Sequence, residues 1–121
     1  MHKITTHPLS LSALNDLVNN QFTIELSTEV KEKINKCRTY LDQKIENSDT
    51  PIYGINTGFG SLCDVSINSD QLVQLQENLV RSHACGTGKL VPQSIVKLML
   101  LLKIKSLSNG NSGEHLATVQ R

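Results

Sequence analysis

The sequence predicts a mainly α-helical fold with one small pair of N-terminal β-strands. Three observations carry this expectation. Apolar residues recur at helical spacing from Val30 to Ile45, and from Ile95 to Leu107 they would cover almost every face of a helix. Two short runs rich in β-branched residues, Lys3–Thr6 and Phe22–Leu26, lie near the start of the chain. The intervening stretches are punctuated by Gly, Asn, Ser and Pro, as turns are.

The two β-branched runs suit a pair of short strands. Between them, Ser10 to Val18 reads as a helix capped by Ser10 or Ser12, with Leu11, Leu14 and Leu17 on one face. Ser27 is placed to cap a longer helix. Val30, Ile34, Cys37, Leu41 and Ile45 give it a continuous apolar stripe, while Lys31, Glu32, Lys36 and Asp42 fall on other faces. The polar run E-N-S-D-T-P ends that stripe at Pro51.

Residues 51–67 keep no period and hold three glycines, so a loop is expected. Asn68, with Gln71 three residues on, has capping-box spacing for a third helix with Leu72, Leu75 and Leu79 as its buried stripe. Gly86 and Gly88 are placed to stop it. Pro92 suits the first turn of the next helix, whose apolar residues from Ile95 to Leu107 cover almost every face. A helix of that kind belongs inside a bundle or an oligomer interface, so self-association is expected. Ser108–Gly113 is a turn-rich break, and Ser112 is placed to cap a last helix with Leu116 and Val119. That helix is cut short at Arg121, which suggests a portion of a longer protein. The 121 residues show no repeat and no linker, and read as a single domain, 1–121.

Composition narrows the function classes. Net charge is +1 and there is no basic block, which argues against nucleic acid as a partner. No apolar run is long enough to span a bilayer, and no secretory leader is visible. The cysteines, Cys37, Cys63 and Cys85, are odd in number and include no C-x-x-C pair. Reduced thiols in a cytoplasmic protein are the simpler expectation. His2, His7, His83 and His115 show no metal-ligand spacing, so no metal site is expected.

Two segments carry candidate chemistry. Tyr53 opens Y-G-I-N-T-G-F-G, in which Gly54, Gly58 and Gly60 permit positive φ or close backbone approach, and Asn56 and Thr57 add hydrogen-bonding groups. A glycine-rich loop presenting a phenol suits a catalytic lid, though a connecting loop with a packed tyrosine has the same pattern. A dinucleotide fingerprint fails, because Cys63 occupies the third glycine position. Ser82 and His83 lie at the end of the third helix, where a histidine serves either a site or the helix dipole.

Taken together, Y-G-I-N-T-G-F-G-S-L, then L-Q-E-N-L-V-R-S-H-A-C-G-T-G, then L-K-I-K-S-L-S-N-G-N-S-G resemble the aromatic amino-acid ammonia-lyase family, most specifically from Tyr53 to Gly113. Within it, Ser82-His83 is similar to the histidine ammonia-lyases. The resemblance implies elimination of ammonia from L-histidine to give urocanate. Tyr53 would be the base, His83 with Ser82 would bind the substrate imidazole, and Asn56, Thr57, Gly58 and Gly60 would support the loop. A phenol ionises near about pH 10, so its anion would need stabilising neighbours. The family's electrophile, 4-methylideneimidazol-5-one, forms from an internal Ala-Ser-Gly. No Ala-Ser-Gly occurs here; Ala84-Cys85-Gly86 and Asn111-Ser112-Gly113 match other segments of the family pattern. The family is tetrameric with shared active sites, so the expectation is an N-terminal portion that is inactive alone. The alternative is a catalytically dead stand-alone ligand-binding or interaction domain of the same fold.

Overall fold

The computed structural model describes residues 1–20, 22–47 and 50–121, with Ser69 described by its backbone alone. Ser48 and Asp49, within the expected polar break, lie outside the described residues. In order, the elements are β1 (His2–Ile4), α1 (Leu11–Asn19), β2 (Ile24–Leu26), α2 (Thr28–Glu46), α3 (Leu72–His83), α4 (Gln93–Leu107) and α5 (Leu116–Gln120). Short 3-10 turns occupy Gly60–Leu62 and Ser69–Gln71. The backbone forms two compact units: residues 1–47 with 90–121, and residues 48–89.

In the first unit β1 and β2 pair in parallel, with His2 opposite Ile24 and Ile4 opposite Leu26. A parallel pair needs a crossover, and α1 supplies it. The register sets Ile4 and Leu26 side by side in the core with Leu17, Val30, Ile34, Leu101 and Val119. Ser10 caps α1 by accepting from the Ala13 N–H at 3.1 Å, and Ser27 caps α2 by accepting from Val30 at 3.3 Å. Each satisfies an otherwise orphaned helix donor. The expected stripe of α2 is buried at Val30 and Ile34 and half-buried at Cys37, Leu41 and Ile45. Leu11 departs from expectation. It is 85% exposed in the first turn of α1 and borders an open groove with Leu14 and Ile95 instead of joining the core.

The break after α4 packs onto α2. Gly110 and Gly113 hold φ of +68° and +70°. A Cβ at Gly110 would lie 2.8 Å from the Lys33 carbonyl carbon, and one at Gly113 would lie 2.5 Å from Leu41 Cδ2. Glycine is therefore required twice over at each position, by conformation and by contact. Arg38 fixes the crossing by donating to the Gly113 carbonyl at 3.3 Å while pairing with Asp42. Ser112 does not cap the last helix as expected. His115 takes that place without a side-chain bond, because the Ser112 hydroxyl accepts from Glu114 N–H at 3.3 Å.

In the second unit the expected capping box at Asn68 is not formed. The chain makes a 3-10 turn, with Gln71 N–H donating to the Asn68 carbonyl at 2.9 Å, and α3 begins at Leu72 with no side-chain cap. Leu72, Leu75 and Leu79 line one face as expected but are half-buried. The helix ends at His83, ahead of both glycines, because Ala84 already leaves helical geometry with ψ of 51°. No described helix is long and apolar enough to cross a membrane.

Candidate active site

The tyrosine loop is a closed hydrogen-bonded structure. Ile55 and Asn56 N–H groups both donate to the Ile52 carbonyl, at 3.0 and 3.2 Å, winding the chain into a tight turn around Tyr53. Gly54 holds φ of +77° within that turn. The Asn56 side chain reaches back across it. Its Oδ1 accepts from Ile52 N–H at 2.6 Å and its Nδ2 donates to the Thr50 carbonyl at 3.2 Å. An asparagine bracketing its own turn is a recurrent way to fix one without regular structure.

Beyond the turn the chain pairs with itself. Thr57 and Ser66 form an antiparallel bridge, flanked by Gly58 N–H to the Val65 carbonyl at 3.0 Å and Ile67 N–H to the Asn56 carbonyl at 2.9 Å. This pairing was not expected from the sequence, where residues 51–67 read as an unpaired loop. The alternating V-S-I of Val65–Ile67 was the available signal. Thr57 is almost fully buried and its hydroxyl donates to the Gly58 carbonyl at 3.0 Å. At Gly58 a Cβ would sit 2.6 Å from the Leu62 carbonyl oxygen, so only glycine fits.

Tyr53 itself is 64% exposed. Its phenol oxygen accepts from the Gly60 N–H at 3.4 Å, and Gly60 holds φ of +58°. Its ring lies edge-on to Phe59, with centroids 6.2 Å apart and planes at 71°. Phe59 is a loop contact that sequence reasoning missed. Aromatic pairs of this geometry are worth about 1 kcal/mol.

Ser82 and His83 share the exposed last turn of α3. His83 Nδ1 lies 2.9 Å from the Leu79 carbonyl oxygen, which can only accept. Nδ1 therefore carries the proton, and in the neutral ring Nε2 is left as an acceptor. The Ser82 hydroxyl donates to the same carbonyl at 2.9 Å and lies 3.0 Å from Nδ1, fixing the ring further. The structure thus gathers Tyr53, Asn56, Thr57, Gly58 and Gly60 into one bonded loop and sets Ser82 with His83 on one helix end. No described hydrogen bond or ring contact joins the two groups. Among the described residues no cluster of His, Cys, Asp or Glu is arranged to hold a metal ion.

The sequence model of the aromatic amino acid lyases matches residues 9–121. The chain belongs to the aromatic amino acid lyase family. It is 44% identical over 117 residues to a histidine ammonia-lyase of Deinococcus radiodurans, which covers 97% of this chain and 22% of that enzyme. The structure of histidine ammonia-lyase from Trypanosoma cruzi superposes with a TM-score of 0.79 at 37% identity, covering 99% of this chain and 23% of that one. Phenylalanine aminomutase of Pantoea agglomerans superposes with a TM-score of 0.91 at 25% identity, covering 99% and 23%. The chain spans 22% of the length of the curated lyase it matches. The sequence holds no Ala-Ser-Gly run. Ala84-Cys85-Gly86 follows the end of α3 and lacks the serine, and Asn111-Ser112-Gly113 lacks the alanine while its Gly113 is packed on Leu41.

Proposed function

We propose that these residues form the proton-abstracting and imidazole-recognising part of a histidine ammonia-lyase site. The substrate is L-histidine and the products are urocanate and ammonia. The observation that carries this reading is the pairing, in one sequence, of an exposed phenol tethered to its own loop with a histidine whose Nε2 is free to accept. The histidine ammonia-lyases at 44% and 37% identity support the same substrate.

Tyr53 takes a proton from the substrate β-carbon. The electrons of that C–H bond become the Cα=Cβ double bond as the C–N bond breaks and ammonia leaves. A second donor besides the Gly60 N–H would be needed to stabilise the phenolate fully. His83 Nε2 accepts the N–H of the substrate imidazole. Activation of the amine lies outside what these 121 residues supply, so the chain alone should be inactive.

The test is a chimera in which these residues replace the matching segment of the Deinococcus radiodurans enzyme, followed by urocanate absorbance. The chimera should turn over histidine and the isolated chain should not. Tyr53→Phe should cost about 10²–10⁴ in kcat, the usual worth of a general base. His83→Leu should cost about tenfold or more in kcat/KM. Full activity of the Tyr53→Phe chimera would remove the assignment, and urocanate formed by the isolated chain would remove its incompleteness.

We also propose that the protein self-associates through α4. Supporting this, Ile95, Met99, Leu100 and Leu102 are all exposed on a helix that buries only Leu101.

A further inference from the structure

We infer that Asn56 is the positioning residue of the tyrosine loop, an assignment that rests on the reading of Tyr53 as the base. Four hydrogen bonds converge on it. Its backbone N–H closes the turn onto the Ile52 carbonyl at 3.2 Å, and its carbonyl accepts from Ile67 N–H at 2.9 Å. Its side chain accepts from Ile52 N–H at 2.6 Å and donates to the Thr50 carbonyl at 3.2 Å. Asn56 is thus the joint at which the Tyr53 turn is fastened to the Thr57–Ser66 bridge.

The consequence follows from connectivity. Tyr53 is exposed and its ring touches the rest of the loop at Phe59 and at the Gly60 N–H. Those contacts hold the phenol only if the turn carrying its Cα is fixed relative to residues 57–60. Asn56 supplies that fixation from both sides, one through the side chain and one through the backbone. An amide is required, because the position must accept from Ile52 and donate to Thr50 at once. The residue acts through Tyr53, and displacement of a catalytic group by about 1 Å costs about 10²-fold in rate.

Hydrogen exchange at the Gly60 amide, followed by NMR on the isotope-labelled chain, reads the tether directly. Tyr53→Phe marks its complete loss. Asn56→Ala removes both side-chain bonds and should speed Gly60 exchange by about tenfold, with exchange at Ile4 in the other unit unchanged. Asn56→Asp keeps the acceptor and loses the donor, so it should fall between Asn56→Ala and wild type, and it decides the matter if Asn56→Ala does not fold. In the chimera, Asn56→Ala should lower kcat about tenfold with KM within about twofold, and Asn56→Asp should recover part of the loss. Gly60 exchange unmoved by Asn56→Ala or Asn56→Asp, or unmoved by Tyr53→Phe, overturns the assignment. A chimera inactive toward histidine with the exchange pattern intact would remove the histidine reading and leave the positioning role standing.

Discussion

The backbone N–H of Gly60 donates to the phenol oxygen of Tyr53 across 3.4 Å, although seven residues separate them. The bond exists because Gly60 holds φ of +58°, a left-handed conformation that turns its N–H back toward the start of the loop. No atom lies within 4 Å of a Cβ built at Gly60. An alanine there meets no clash, and its cost is conformational only, about 1–2 kcal/mol. Gly60→Ala should relax to negative φ and release the phenol. Tyr40 and Tyr53 are the only tyrosines and there is no tryptophan, so a Tyr40→Phe background makes Tyr53 the sole ultraviolet fluorophore of its kind. In that background Gly60→Ala should lower the fluorescence anisotropy of Tyr53 as the ring gains motion; unchanged anisotropy would show that the bond does not restrain the ring.

The helical frame was legible wherever a local signal was reinforced by burial. Ser27 had both a capping side chain and a stripe ending in the core at Val30 and Ile34, and helix α2 begins where that pattern places it. Asn68 had the capping pattern without such reinforcement. Leu72 and Leu75 are only half-buried, and a 3-10 turn took over the first turn of the helix. At Ser112 the rival was a neighbour: its hydroxyl accepts from the Glu114 N–H at 3.3 Å. The candidate site was legible only as residue types at Tyr53 and His83. Its internal ties were not, because the Asn56 bracket and the Thr57–Ser66 bridge depend on how the loop folds on itself and leave almost no periodic trace.

Acid should loosen the first unit through two surface carboxylates. The Lys33 ammonium and then the Thr6 hydroxyl hold Glu29 below its ordinary range, and the Arg38 guanidinium does the same for Asp42. Both groups stay ionised in the folded chain at pH values where the unfolded chain has begun to bind protons. Their contribution is therefore fully present above the ordinary carboxylate range and is lost as pH falls through it and through the lower folded values. Both side chains are exposed, so the effect should be modest and weakened by salt. Glu29→Gln with Asp42→Asn should lower Tm at about pH 6 and shrink the drop between about pH 6 and about pH 3. A pair of parallel Tm curves for wild type and variant would assign the loss to packing instead.

The proposed self-association through α4 can be tested separately from folding, because the helix presents two kinds of leucine. Leu101 is 4% exposed and belongs to the core, whereas Leu100 beside it is 59% exposed and Met99 is 62% exposed. Leu100 and Leu101 also line, with Leu17, Val18, Phe22 and Ile104, a cavity of about 240 Å³ between α1 and α4. A neighbouring groove of about 380 Å³ is lined by Leu11, Leu14, Ile95 and Leu98. A second copy covering this surface would bury side chains whose removal from water is worth about 1.5–3 kcal/mol each. Light scattering should therefore find dimers or larger species. Met99→Lys with Leu100→Glu should shift them to monomer with Tm nearly unchanged, since neither side chain is in the core. Leu101→Ala should do the opposite, costing about 2–5 kcal/mol of stability through the cavity it leaves while the association of the remaining folded chain persists. A wild-type chain that stays monomeric at high concentration would mean that α4 is not a self-association surface in this form of the protein.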